Sequence, residues 1–164
     1  RETPVGFKYI GEIMVKEDFL IGGEESGGLT IKGHIPEKDG ILACMLIAEM
    51  VSLEKKSVRE CLTGIYKKTG RFYNQRSNII LTEQKKEEAL RQLKSAPPNS
   101  VGGLKVKSIN RADGYKFILE DGSWILLRPS GTEPVFRLYA ESREEKKLKL
   151  MADSIKKILK LDVK

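Results

Sequence analysis

Two cysteines, one histidine and one tryptophan in 164 residues leave this chain without the raw material for several common functions. Cys44 and Cys61 fall on apolar positions of predicted helices, so they read as buried free thiols and not as a disulfide framework. His34 is the lone imidazole, and no Cys/His/Asp cluster has ligand spacing, so no metal site is expected among these residues. Long apolar runs are missing too. The longest, Ile41 to Met50, is interrupted by Glu49, whereas a membrane span needs about 20 residues. There is also no amino-terminal signal pattern, and together these absences set the expectation of a cytoplasmic protein with no membrane partner. The chain opens Arg1-Glu2-Thr3 with no Met, as a fragment, a processed terminus or a tagged chain would.

What is present suits a folded chain of one ordinary domain or two small ones, with 40% hydrophobic residues to build a core. The formal charge of +7 raises the question of nucleic acid. Its distribution argues against that partner: lysines alternate with glutamates along Glu83 to Lys94 and Arg143 to Lys149, as on solvated helix faces, and no aromatic-plus-basic stacking motif stands out. Small phosphorylated ligands suit the same balance.

The first part of the chain mixes strand and helix signals. A short segment runs around Tyr9 to Val15, a strand is expected at Phe19 to Ile21, and a helix at Gly40 to Leu53, capped by Asp39, is apolar nearly all round and so expected to be buried. Ser57-x-x-Glu60 predicts a capping box for a second helix that turns Val58, Cys61, Leu62 and Ile65 inward and stops near Gly70. From Arg71 the pattern changes. Phe72 to Leu81 reads as extended chain, and Glu83 to Lys94 as a helix with Ala89, Leu90 and Leu93 on one face. Four strands follow, Leu104 to Asn110, Tyr115 to Leu119, Ser123 to Leu127 and Val135 to Glu141, with hairpin signals at Asp113-Gly114 and Asp121-Gly122. Ser142-x-x-Glu145 predicts the cap of a last helix that buries Leu148, Met151, Ala152, Ile155 and Leu159.

Two loops carry chemistry. Arg128-Pro-Ser-Gly-Thr-Glu-Pro-Val-Phe-Arg137 sets two guanidiniums and two hydroxyls around a turn. Pro129 and Gly131 would shape its backbone so that N–H groups converge on an anion, and Ser130 and Thr132 would add hydroxyls. In a strand, Val135, Arg137 and Tyr139 share a face, so Arg137 can return beside Arg128 as a second planar fork for phosphate. The plainer alternative is a surface turn with solvated arginines. Gly22-Gly-Glu-Glu-Ser-Gly-Gly28 presents Glu24, Glu25 and Ser26 between glycines, a composition that suits sugar hydroxyls; its carboxylates would repel phosphate, and it lacks the dinucleotide and P-loop spacings.

Four motifs, in order across nearly the whole chain, resemble the α-D-phosphohexomutase family of phosphoglucomutases and phosphomannomutases: Val5-Gly-Phe-Lys8, Gly23-Glu-Glu-Ser-Gly27, Glu37-Lys-Asp-Gly40 and Arg128-Pro-Ser-Gly-Thr-Glu-Pro134. The resemblance implies that residues 1–70 are the carboxy-terminal part of an α/β domain three bearing the sugar loop. Residues 71–164 would then be domain four, an α+β unit with a four-stranded, mainly antiparallel sheet and helices on one face, like the TATA-box-binding protein. It implies that Glu24 and Ser26 bind hexose hydroxyls, that Lys8 and Lys38 line the cleft, and that Arg128, Ser130, Gly131, Thr132 and Arg137 grip phosphate.

The reaction implied for a full-length enzyme is the interconversion of hexose 1-phosphate and hexose 6-phosphate through a phosphoserine, with Mg2+ and hexose 1,6-bisphosphate as cofactors. The phosphoserine loop and the Asp-x-Asp-x-Asp magnesium loop are absent from this sequence. The chain alone is therefore expected to be inactive, with the amino-terminal domains of the same polypeptide and hexose phosphates, glucose or mannose, as its partners. Two alternatives stay open: a stand-alone phosphosugar-binding module, and a phosphoglucosamine or N-acetylglucosamine phosphate mutase fragment. Glu24-Glu25-Ser26 fits the glucose and mannose members better.

Overall fold

The structure, a computed structural model, describes residues 1–161. The chain divides into two compact units, Arg1–Gly70 and Arg71–Lys164. Among the described residues no helix is long and apolar enough to cross a membrane.

The first unit runs α1 (Phe7–Lys16), β1 (Ile21–Gly23), β2 (Leu29–Ile31), α2 (Gly40–Glu54) and α3 (Val58–Thr69). β1 and β2 form an antiparallel ribbon that pairs Ile21 with Ile31 and Gly23 with Leu29. The strand expected at Phe19 to Ile21 thus begins at the last of those residues, and the glycine-rich segment supplies its end and the turn that follows. Asp39 caps α2 as expected, accepting from the Leu42 N–H at 2.9 Å. The capping box of α3 is complete: Ser57 Oγ accepts from the Glu60 N–H, and Glu60 Oε2 accepts from the Ser57 N–H at 2.8 Å.

Burial in this unit departs from expectation. α2 has no buried residue, and Ile41, Met45 and Leu53 are 79%, 64% and 75% exposed. A helix that is apolar all round needs neighbours on every side, and the unit offers two three-residue strands and two other helices. α3 likewise leaves Val58, Leu62 and Ile65 exposed. Cys44 is exposed and Cys61 half-buried; both are free thiols, but neither is the buried one expected.

The second unit runs β3 (Tyr73–Ile80), α4 (Glu83–Ser95), β4 (Ser100–Val101), β5 (Leu104–Asn110), β6 (Tyr115–Leu119), β7 (Trp124–Pro129), β8 (Val135–Ser142) and α5 (Glu145–Ile158). Its sheet has six strands in the order β3-β8-β7-β6-β5-β4, all antiparallel, and not the four expected. β3 was legible only as extended chain because its centre, Asn74-Gln-Arg-Ser-Asn78, lacks apolar alternation, yet it pairs with β8 over its whole length. β4 is two residues long and has no pattern to read.

β8 alternates strictly and β7 does so up to Arg128, with Ile125, Leu127, Phe136, Leu138 and Ala140 buried in one core with residues of α4 and α5. The helices contribute Ala89 and Leu93 from α4 and Leu148, Met151, Ala152 and Ile155 from α5. The capping box expected at Ser142 does not form. The N-cap of α5 is Glu144, with no side-chain cap bond. Ser142 stays in the sheet opposite Tyr73, buried, where its Oγ meets Ser123 Oγ at 3.2 Å and accepts from the Glu144 N–H at 3.1 Å. Lys147 ties the start of α5 to the β6–β7 turn through Glu144 at 2.8 Å and Asp121 at 2.9 Å; these two carboxylates, Glu144 first, push its ammonium up to about 12.

Phe136 is fully buried at the centre of this core. Phe136→Ala is expected to destabilise the second unit by about 3–5 kcal/mol, read as a lower denaturant midpoint for the Trp124 fluorescence transition.

Candidate functional site

The paired arginines come from sheet register. Leu127 and Phe136 point into the core, so Arg128 and Arg137, one residue along each strand, point to the opposite face. The β7–β8 ladder sets them directly opposite each other. Two like charges across a ladder repel, and the structure offsets one of them: Asp113 Oδ2 lies 3.5 Å from Arg128 Nη1, whose side chain is 15% exposed. Among the described residues no carboxylate pairs with Arg137. The pair therefore leaves an uncompensated guanidinium facing outward. Arg76, on β3 and the same face, stacks 5.4 Å from the Tyr139 ring centroid.

The turn above the pair is held from both ends. Ser130 is buried, its N–H donates to Val135 O at 2.8 Å, and its Oγ accepts from the Thr132 N–H at 3.5 Å. Gly131, Thr132 and Glu133 are exposed at the tip. Lys86, buried on α4, donates to Glu133 O at 3.0 Å, and the Leu81 N–H donates to Pro134 O at 2.8 Å. Gly131 does not adopt the left-handed conformation that would demand glycine, and a methyl group there would touch nothing. The turn is shaped by its hydrogen bonds more than by that residue.

In the first unit, the Glu24 N–H donates to Gly28 O at 2.9 Å and the Gly27 N–H to Glu24 O at 3.0 Å, closing a tight hairpin turn with Gly27 at φ +90°. Glu25 and Ser26 are exposed at its tip. Glu24 is folded back: its side chain is only 14% exposed, and Oε2 accepts from Lys38 Nζ at 3.2 Å. Two of the expected site residues thus meet. Lys8, exposed on α1, instead sets its ammonium 4.8 Å from the Tyr9 ring centroid.

Asp39, next to Lys38, accepts from the Leu42 N–H and pairs with His34 Nε2 at 2.9 Å. The Leu42 hydrogen bond, then the His34 contact, hold its carboxyl below the usual 3.8.

Three residues of these sites were not singled out in the sequence. Asp113 carried only a hairpin signal, although the turn it starts also sets its carboxylate beside Arg128. Gly114 follows at φ +102°, and a methyl group there would come within 3.0 Å of Arg128 Cα. Lys86 read as one more lysine on a solvated helix face. Among the described residues no group of three His, Cys, Asp or Glu side chains comes together as metal ligands would.

An α-helical unit with a short ribbon, followed by a curled antiparallel sheet backed by helices, defines a mixed α/β protein with one exposed polar loop in each unit. Within that class, the chain belongs to the phosphoglucomutase/phosphomannomutase family: residues 1–69 match its alpha/beta/alpha domain III and residues 77–158 its C-terminal domain. A protein of Methanobrevibacter smithii described as a probable phosphoglucosamine mutase is 31% identical over 98% of this chain and 35% of its own length. The phosphoglucomutase of Rhizobium radiobacter is 32% identical over 87% of this chain and 30% of its own. A solved structure from Thermus thermophilus, described as that of a phosphomannomutase, superposes with a TM-score of 0.72 at 30% identity, covering 96% of this chain and 30% of that one. The chain spans about a third of the length of the curated relatives it matches.

The depressed Asp39 carboxyl carries a pH prediction. Its cap is fully present above 3.8 and is lost as pH falls through the lower folded value, when the carboxyl takes up a proton. The Leu42 amide should lose hydrogen-exchange protection in that acid range, and Asp39→Ala should remove the protection at neutral pH.

Proposed function

We propose that this chain is the substrate-gripping part of a hexose phosphate mutase, with residues 1–70 as the end of domain three and residues 71–164 as domain four. The observation that carries the reading is the Arg128–Arg137 ladder pair, which is balanced by one carboxylate and capped by a turn whose tip residues, Gly131 and Thr132, are exposed. A phosphate dianion placed there would relieve the repulsion between the two forks and accept from both. Gly131 would add a backbone donor, and the Thr132 hydroxyl a further one. Ser130 would hold the turn by accepting from the Thr132 N–H and would keep its own O–H to donate.

The first unit, taken by itself, carries the candidate sugar contacts. Glu24 and Ser26 would bind hexose hydroxyls, and Lys8 and Lys38 would face the anionic ligand. In the full-length enzyme a sugar hydroxyl oxygen attacks the phosphorus of a phosphoserine while the serine oxygen leaves. After the bisphosphate reorients, the serine oxygen attacks the other phosphorus, and the sugar oxygen that carried it leaves and takes up the proton that the first attack released. The work of this chain is positional: a phosphate gripped at one end of the sugar sets the other end in line for transfer. A grip specific for phosphate and indifferent to which carbon bears it would serve both halves of the cycle. The family resemblance puts magnesium on a loop of another domain. Among the described residues of this chain no cluster of carboxylate, imidazole or thiol ligands fits that ion.

A second reading concerns the sugar. Several of the relatives are named phosphoglucosamine mutases, those of Clostridioides difficile and Methanocaldococcus jannaschii among them, at 27% and 31% identity. The two carboxylates of Glu24-Glu25-Ser26 suit the hydroxyls of glucose or mannose, and Glu25 is free at the tip to meet an amino group as well. Competition between glucose 1-phosphate, mannose 1-phosphate and glucosamine 1-phosphate separates these readings.

Titration of the chain with inorganic phosphate and glucose 1-phosphate should shift the Gly131 and Thr132 amides. Arg137→Ala should weaken that binding about tenfold or more, and unchanged affinity would reduce the cradle to a surface turn. The purified chain should show no mutase turnover by itself; measurable turnover would overturn the division of labour proposed here.

A further inference from the structure

Gly28 closes the glycine-rich turn by accepting from the Glu24 N–H, and its place opposite Lys38 has a use beyond the turn. The Lys38 stem crosses directly over Gly28. A methyl group at position 28 would overlap Lys38, lying 2.5 Å from its Cγ and closer still to Cδ. Beyond that crossing, the Lys38 ammonium reaches Glu24 Oε2 at 3.2 Å. The backbone that launches Lys38 is anchored at the same point of the ribbon, since the next residue, Asp39, donates its N–H to Leu29 O at 3.1 Å. Gly28 is not in the left-handed region, so its backbone does not require glycine; what requires glycine is the lysine lying on it.

We propose that Gly28 is a positioning residue that acts through Lys38. Its missing side chain opens the lane by which the ammonium crosses the turn and sits against Glu24. The loop then offers a ligand a carboxylate and an ammonium side by side, where the glycine-rich turn alone would offer a carboxylate. Such a pair accepts from a sugar hydroxyl and donates to an oxygen of the same ligand, and it weakens the repulsion that Glu24 would exert on an anionic sugar. The chemical class selected is a hexose that bears both free hydroxyls and a phosphate. A side chain at position 28 would turn Lys38 out and leave Glu24 facing the ligand alone. This inference rests on the phosphosugar reading above.

The test uses the full chain and four forms: wild type, Gly28→Ala, Lys38→Ala and the double variant. Alanine at 28 should leave the fold intact, because the clash falls on a flexible lysine stem and the backbone angles are ordinary; dispersed amide spectra check this. Wild type should give nuclear Overhauser contacts from the Gly28 α-protons to the Lys38 γ- and δ-protons, and their absence would overturn the geometry whatever binds. Glucose 1-phosphate affinity should fall about tenfold in Gly28→Ala and by a similar factor in Lys38→Ala, with the double variant no weaker than Lys38→Ala. Binding that Gly28→Ala leaves unchanged, or a Gly28→Ala loss repeated in full in the Lys38→Ala background, overturns the role of Gly28 while the phosphosugar reading stands. Failure of the wild type to bind any hexose phosphate overturns that reading and this one with it.

Discussion

Strand register between β7 and β8 is the constraint on which the second unit and its loop depend. β8 has partners on both sides, β3 and β7, and every second residue of it is buried. A slip of one residue would carry Phe136, Leu138 and Ala140 to the open face and drive Arg137 into the core. The core thereby decides where a charged pair sits that it never touches. It also sets Arg128 and Arg137 directly opposite each other despite their like charge. Asp113 lies beside Arg128, and Lys86 and the Leu81 N–H hold the turn through the carbonyls of Glu133 and Pro134.

The first unit works on another principle. Few of its residues are buried, Phe7, Gly11 and Thr30 among them, so its loop geometry comes from short-range hydrogen bonds and from the room left by absent side chains. The turn closes on two backbone bonds, Asp39 ties α2 to β2 and caps the helix, and Lys38 crosses the one position that lets it pass. The turn and the helix cap are local in sequence, whereas the Lys38–Glu24 contact joins residues 14 positions apart. The apolar residues of α2 and α3 show the other side of that economy, since Ile41, Met45, Leu53, Val58, Leu62 and Ile65 stay exposed.

What could be read without coordinates followed from how local each signal was. The Asp39 cap, the Ser57 and Glu60 box, and the ends of β5 and β6 rest on residues within a few positions of one another, and they stand where the pattern puts them. The alternation in Val135 to Glu141 placed Arg137 on the face of Val135 and Tyr139, and the hairpin did the rest. The box at Ser142 failed because the β3–β8 ladder, made with a segment some seventy positions earlier, holds that serine in the sheet. The burial of α2, Cys44 and Cys61 failed because hydrophobicity states what a face wants and not whether a neighbour exists. β3 was missed as a sheet strand because its outward residues are polar and its partner is distant.

By itself the sequence determined the two loops and their chemistry: arginines, hydroxyls and prolines in one, glycines and carboxylates in the other, along with the helices and hairpins encoded by caps, turns and periodicity. These depend on intrinsic residue properties and on neighbours a few positions away. Tertiary structure alone decided the six-strand order, the balance of Arg128 by Asp113, the support of the turn by Lys86, and the passage of Lys38 over Gly28 to Glu24. Each of these is a distance between residues that the chain keeps apart, and such distances are set by how the core packs and by which side chains leave room, not by the order of residues along a loop.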